Sequence, residues 1–430
     1  MEYLLFAAYL VLFAWLVTKI RFFTSSGLSH PQIIIIFLLK VMAGIFYGWI
    51  GLYYGNLAQM VDTWGFHYHS IAEYRLLQTD PQEYFTNLFH NPYEEGLKNF
   101  FDSTDSYWND LKGNVFIKVL SILNIFSFGH YYVNVIFFSF ITMFGAMAIF
   151  RVMDDVLPGR KIIIMLATFF IPSFIYWTSG IHKDGLIFTG ISFIIYSIYF
   201  SLKEKRISFI RGSMIFLGLL LLLVLRNFLL IIILPAILAW LLSIKWPKYT
   251  IAVFATVYVI SITVFFTARY IQPRFDFPQA VVTKQQDFLK LGGGSAVPIK
   301  ELEPNAISFL INIPQAINLS TIRPFPKDVK HILSLAAAVE IDILLLMFLL
   351  FLFFRKDGLR SRQLIYFCVF FSFTLLLTIG FTVNNLGAIV RYRSIIIPFL
   401  IVPMAAQIDW RRIGEYFFNN IKNKNNVDKS

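Results

Sequence analysis

The chain has 430 residues, 57% of them hydrophobic and 18% aromatic, with only 14% charged and a formal net charge of +12. That balance excludes a soluble globular domain and points to a polytopic membrane protein. The excess of Lys and Arg then reports which loops face the cytoplasm, and nucleic acid is not an expected partner.

Apolar runs of helical length recur from one end to the other, without the alternating ten-residue pattern of an outer-membrane barrel. Helices are predicted near 3–19, 32–54, 131–150, 162–177, 186–201, 213–225, 228–243, 250–268, 332–354, 364–381 and 392–408, about eleven transmembrane spans. The first run starts at the initiator Met with no basic region before it and no small-residue cleavage pattern after it, so it reads as a retained helix. The stretch 115–128 is apolar but short and carries Lys118, which predicts an interfacial helix. The expected fold class is therefore all-α: one polytopic integral membrane domain over 1–430 with two large extracytoplasmic loops. Those loops are 55–130, with the interfacial helix, and 269–331, a lid, while 410–430 forms a cytoplasmic tail.

Charge sets the orientation. With the N-terminus outside, the inner segments 19–31, 151–161, 202–212, 244–249, 355–363 and the tail hold twenty of the 37 Lys and Arg residues. The positive-inside rule is met at each of them. The long outer segment 55–114 is acidic instead, with nine Asp or Glu against Arg75, Lys98 and Lys112. The loop 269–331 contains Gly292 to Gly294 and several prolines, yet nothing resembling the Lys-Ser/Thr ending of a phosphate loop follows, so a folded lid with short helices is expected. The single cysteine, Cys368, lies in an apolar run and rules out an intrachain disulfide.

This orientation sends polar groups from distant hairpins to one face. His182, Lys183 and Asp184 sit at the tip joining two apolar runs, Arg226 at the turn of a short helix pair, and Arg391 and Arg393 at the start of the last helix. Asp62, His67 and His69 follow the second helix, and Arg323 precedes the ninth. Ionisable groups are costly in hydrocarbon, so such a gathering implies a membrane face or a wet cavity. Lys183 beside Asp184 reads either as an internal ion pair or as a phosphate contact shared with His182 and oriented by Asp184. Asp62 reads as a general base, a metal ligand or a solvated loop acid, placed at a helix C-terminus where the dipole disfavours it. An extended backbone would aim His67 and His69 to the same side, as a pair of divalent-cation ligands would require. Arg226, Arg323, Arg391 and Arg393 would together form a cationic pocket suited to phosphate or carboxylate. Glu340 and Asp342 lie inside the ninth helix, where carboxylates line a cavity or pair with a cation, and they keep a transporter or flippase for an anionic or lipid-linked solute in view. Lys40, near an inner helix end, is expected to snorkel.

The acidic motif after an early helix, the large outer loop with an interfacial helix, and the terminal RYRSIIIP helix together resemble bacterial polytopic glycosyltransferases of the GT-C superfamily and related O-antigen or exopolysaccharide polymerases. PSFIYWTSGIHKDG and NIPQAINLSTIRPFP are similar to segments of envelope proteins grouped with them. The resemblance implies a polyprenyl-phosphate or diphosphate-linked saccharide as donor, a bacterial inner-membrane location, Asp62 as the acid that activates the acceptor, and Arg391 or Arg393 on the donor phosphate. Two departures accompany it: the acidic motif follows the second helix instead of the first, and no Asp-x-Asp pair accompanies Asp62 to hold a divalent cation. Lys183, Arg226 and Arg323 are the further candidate phosphate contacts, His182 and Asp184 the further candidate catalytic groups, and His67, His69 and Glu340 the candidate supporting residues.

Overall fold

The computed structural model describes residues 2–53, 61–93, 106–356, 358–359 and 361–416. The inner-loop Arg360 and most of the tail expected over 410–430 therefore lie outside the described residues, as do 54–60 and 94–105 of the first outer loop. The described chain is helical, with two isolated bridges and no β-strand among the described residues. In order, the α-helices of eight or more residues are α1 (Glu2–Leu16), α2 (His30–Tyr53), α3 (Val61–Thr79), α4 (Tyr107–Ser127), α5 (Tyr131–Val156), α6 (Lys161–Phe169), α7 (Pro172–Ser179), α8 (Lys183–Glu204) and α9 (Phe209–Arg226). They continue as α10 (Phe228–Lys245), α11 (Thr250–Ile271), α12 (Phe277–Leu291), α13 (Ala306–Ile317), α14 (Ile332–Phe353), α15 (Arg362–Thr382), α16 (Leu386–Ser394) and α17 (Ile397–Gln407).

Eight of these helices are long and apolar enough to cross a membrane, and two bent pairs, α6 with α7 and α16 with α17, raise the number to ten. The count differs from the expected eleven at α1, whose fifteen residues reach about 22 Å and fall short of a hydrocarbon core of roughly 30 Å. Helix α4 is longer than the predicted 115–128 and is not among the apolar candidates. The lid segment folds as α12 and α13. It is tied to the start of α16 by Val297 N donating to Asn384 O at 2.9 Å and Leu386 N donating to Ser295 O at 3.1 Å. Gln285 adds a bond to Phe381 O at 2.9 Å.

The core is centred on α5 and α8, whose apolar windows are 83% and 78% buried. Helix α8 carries Asp184 at one end and Lys203 at the other, about 28 Å along the axis. At the Lys203 end, segments expected as inner loops meet: Lys203 reaches Asp155 at 2.7 Å, Lys161 reaches Asp154 at 3.5 Å, and Lys161 donates to Gly27 O at 3.3 Å.

The bends have local causes. Pro172 opens α7, so Ile171 before it is held extended and the chain turns by 55° from α6. A second break at Ile395–Ile396, just before Pro398, turns α17 by 64° from α16. The first break interrupts the single helix expected over 162–177, and the second falls inside the helix expected over 392–408, which in fact is preceded by α16 from Leu386. A half-helix inside a membrane leaves bare N–H and C=O groups at its ends, and α7 finds ionic partners for both. Glu340 Oε2 accepts from Ser173 N at 2.6 Å, and Lys40 Nζ donates to Thr178 O at 3.3 Å and to Ser179 Oγ at 3.1 Å. Lys40 is 3% exposed, so it does not snorkel; Glu340 serves as the cap of α7 instead of lining an open cavity. Gly44 permits the close approach of α2 to this cap, since a Cβ there would stand 2.7 Å from Ser179 O.

Both caps match the helix dipole, anion at the N-terminus and cation at the C-terminus. Lys40→Met strands a buried carbonyl and is expected to cost about 2 kcal/mol. Glu340→Gln keeps an acceptor but loses its charge, for about 1 kcal/mol. Unfolding midpoints of the two single variants and the double variant in detergent micelles check both values, with the double variant expected to lose less than the sum because both caps hold the same short helix.

Candidate functional site

At the far end of α8 from Lys203, one carboxylate holds several stretches of chain together. Asp184 is fully buried in the first turn of α8, where the helix dipole favours an anion. Its Oδ1 lies 2.7 Å from Arg226 Nη2, and its Oδ2 lies 3.0 Å from His182 Nδ1 and 3.8 Å from Arg391 Nε. Arg226 is the last residue of α9 and Arg391 stands in the last turn of α16, so each cation also occupies the favourable end of its own helix. Arg391 was expected at the start of a helix; the break at Ile395 reverses that. Arg391 Nη1 then reaches 3.4 Å to Oδ2 of Asp62, which is 55% exposed. Asp62 opens α3 in its first turn, so the dipole stabilises it, contrary to the expectation of an acid at a helix C-terminus.

Aromatic rings wall this ion cluster. Tyr392 lies under both guanidinium groups, 4.5 Å from Arg226 and 4.9 Å from Arg391, and its hydroxyl accepts from Arg391 Nη2 at 3.2 Å. Trp177 of α7 stands 5.8 Å from Arg391, and α7 packs against α16. Such faces attract cations by their quadrupole and exclude water from the pairs. Lys183 differs from the arginines. Its Nζ lies over Phe66 at 5.4 Å and has no hydrogen-bond or ion-pair partner among the described residues, although it sits at the unfavourable end of α8. Three cations thus face two carboxylates, leaving one net positive charge with His182 neutral.

His182 is 2% exposed, and burial pulls its pKa below the usual histidine range while Asp184 opposes the shift. Its Nδ1 also lies 3.3 Å from Asp184 N, but one nitrogen cannot accept from an amide and donate to a carboxylate at once. The shorter approach to the carboxylate favours the Nδ1–H tautomer.

The structure therefore brings together Asp62, His182, Lys183, Asp184, Arg226 and Arg391. It places the other candidates elsewhere. Arg393, two residues from Arg391 on a helix, faces away from it and is 2% exposed, donating to Arg323 O at 2.6 Å. Arg323 turns to Asp328, with Nε 3.8 Å from Oδ2, and stacks on Phe325. Glu340 caps α7. His67 and His69 are on a helix and not an extended strand, so His67 is buried against Tyr131 and Trp64 while His69 is exposed. They cannot form the ligand pair expected of them, and among the described residues no group of three or more His, Cys, Asp or Glu side chains converges to hold a metal ion. Tyr392, Trp177 and Lys40 escaped notice as site or support residues; only the placement of Lys40 inside an apolar run signalled one of them.

Two clefts lie away from the cluster. One of about 290 Å³ is lined by Glu83, Asn87, His90, Tyr107, Asp110 and Asn114, and one of about 460 Å³ by residues including Arg151, Asp154, Asp155 and Lys161. No residue of the Asp184 cluster lines either. Comparison of the chain with protein-family models, curated proteins and solved structures returns no match.

Asp184→Asn leaves Arg226 buried beside a weakened partner, and the loss is expected at about 3–5 kcal/mol, read as a lowered unfolding midpoint in detergent. His67 supplies a pH test. Burial, with a smaller contribution from His130, lowers its pKa to about 4. A base whose folded pKa is depressed stabilises the fold fully above its ordinary value near 6.5 and loses that contribution as pH falls towards 4. The loss amounts to about 3 kcal/mol at 1.36 kcal/mol per unit. Unfolding midpoints between pH 7 and 4 should fall less steeply for His67→Phe than for the parent protein.

Proposed function

We propose that this chain is a cell-envelope glycosyltransferase or polysaccharide repeat-unit polymerase. Its donor is a sugar on polyprenyl phosphate or diphosphate, used at the extracytoplasmic face of a bacterial inner membrane. The observation that carries the reading is the spacing of Asp62 and Arg391: an exposed carboxylate 3.4 Å from a guanidinium that is itself anchored on a buried carboxylate. A glycosyl phosphate already has a good leaving group, so the protein must supply a base for the acceptor hydroxyl, cations for the departing phosphate, and apolar walls for the lipid.

In this reaction Asp62 takes the proton from the acceptor hydroxyl. The hydroxyl oxygen bonds to the anomeric carbon, the bond from that carbon to the phosphate oxygen breaks, and the electron pair leaves on the phosphate. Arg391 and Lys183 receive the growing charge, with Lys183 the better placed because it makes no ion pair among the described residues. Arg226 has its guanidinium committed to Asp184 at 2.7 Å and acts as a positioning residue, as does Asp184. His182 orients Asp184 and stays outside the proton path.

The two bent spans support a second reading, a transporter or flippase for a lipid-linked or anionic solute. Discontinuous helices whose ends meet at a polar site are the hallmark of alternating-access carriers. Here α7 runs from the break capped by Glu340 to the residues before His182, and α16 carries Arg391 one turn before its break. Reconstitution in vesicles with a polyprenyl-phosphate sugar separates the two.

The transferase reading expects sugar transfer that Arg391→Ala reduces about 10²- to 10³-fold, the range for one lost charge-stabilising donor. Asp62→Asn should abolish transfer while retaining donor binding. Near-normal transfer by Arg391→Ala removes that residue from the site. Movement of the lipid between leaflets without transfer, together with labelling of Glu340→Cys from the cytoplasmic side, would establish the transporter instead.

A further inference from the structure

Three ionisable side chains stand in the interior of apolar spans among the described residues: Lys40, Glu340 and Asp342. Lys40 and Glu340 are consumed by the two ends of α7. Asp342 is different. It lies at the centre of α14, the span from Ile332 to Phe353, with its side chain exposed and no partner among the described residues. Only 17% of the apolar window of α14 is buried, so this carboxyl looks outward to where lipid chains would be. A carboxyl at that depth is costly whether charged or neutral, because hydrocarbon offers it no hydrogen bond.

The residues around it are not arranged at random. Leu335, Val339, Asp342, Leu346, Leu349 and Phe353 follow one another at steps of four, three, four, three and four, the spacing of a helix–helix seam. The five apolar members are between 44% and 73% exposed. The seam is continuous over the length of the span, and the acid sits in its middle.

We infer that α14 pairs with α14 of a second copy of this chain, about a twofold axis along the membrane normal, with the two Asp342 carboxyls hydrogen-bonded to each other across that axis. A symmetric contact is self-complementary, so a central residue meets itself. Two carboxyls at hydrogen-bond distance do not both ionise, and a protonated carboxyl supplies the donor that its partner's oxygens need. The described chain carries no cation on an outward-facing stretch of similar depth that a head-to-tail contact could offer to Asp342. The inference does not rest on the catalytic reading, since neither Asp342 nor any other seam residue takes part in the ion pairs of the Asp184 cluster.

The full chain, labelled with donor and acceptor fluorophores and reconstituted in phosphatidylcholine vesicles at decreasing protein-to-lipid ratio, tests it by energy transfer. The parent protein is expected to dimerise. Asp342→Asn, which retains donor and acceptor, should stay within about threefold of the parent dissociation constant, while Asp342→Leu should weaken it at least tenfold. Hydrophobic packing alone would give the opposite order. Oxidative cross-linking gives a second readout, for which the native Cys368 is buried and out of reach. Val339→Cys and Leu346→Cys should cross-link, whereas Phe348→Cys, exposed on another side of α14, should not. A protein monomeric at every dilution, a Leu variant that associates as well as the parent, or equal cross-linking at Phe348 overturns the proposal. The first of these outcomes would leave the seam to a foreign helix bearing a cation.

Discussion

A single buried carboxylate sets the geometry of the polar end of this molecule. Asp184 is drawn out of water completely, which is tolerable only because Arg226, His182 and Arg391 surround it and the dipole of α8 points at it. These partners arrive from the end of α9, the link before α8 and the end of α16. The charge at Asp184 draws the ends of α9 and α16 together there, and Tyr392 beneath both guanidinium groups adds to the contact. Arg391 carries the constraint one step outward, to Asp62 at the surface. The chain of contacts thus runs from a fully desolvated ion to a half-exposed one through one guanidinium.

Helix α7 extends the same logic into the apolar layer. A two-turn helix in a membrane has as many unsatisfied backbone groups as a long one, and far fewer apolar contacts to hold it. Glu340 and Lys40 answer both ends with the sign the dipole prefers, and they tie α7 to α14 and α2. Trp177 on α7 is then held against Arg391, so the buried caps fix one wall of the ion cluster. Fold and site are coupled here through electrostatics that would be weak in water and are strong in a low-dielectric interior.

How far the sequence could be read follows from which forces act locally. The long spans were legible because membrane insertion demands runs of apolar residues, and eight unbroken helices appear where such runs lie. That polar groups from distant hairpins meet at one end was also legible, from loop charge alone, for Asp62, Asp184, Arg226 and Arg391. The rest depended on helix phase. Residues 61–79 have too few apolar residues to announce a span, so the helix carrying Asp62 went unread, and with it the opposite facing of His67 and His69. Arg391 and Arg393 looked like a pair in sequence, but two positions on a helix point roughly 200° apart. One joins the site and the other buries itself against backbone carbonyls. Pro172 and Pro398 stand in plain sight, but a proline alone does not say whether a span ends, bends or runs on. Lys40 and Glu340 had ready individual explanations, and only their shared partner, the short helix between them, gives them one role.

The pairing of Arg391 also bears on how an anionic substrate could be recognised. A guanidinium already held by Asp184 and Tyr392 loses little freedom when a phosphate arrives, which is the advantage of a preorganised donor over a mobile one. The same pairing discounts its charge, so Arg391 and Arg226 alone would attract an anion weakly. Lys183 restores the balance, because it adds a positive charge that is in no ion pair among the described residues and sits where the helix dipole gives it no return. On the proposed reaction, then, the arginines set direction and Lys183 sets attraction. The exposed carboxylate of Asp62 competes with the incoming phosphate for one face of Arg391, and displacement from that face is what would free it to accept a proton.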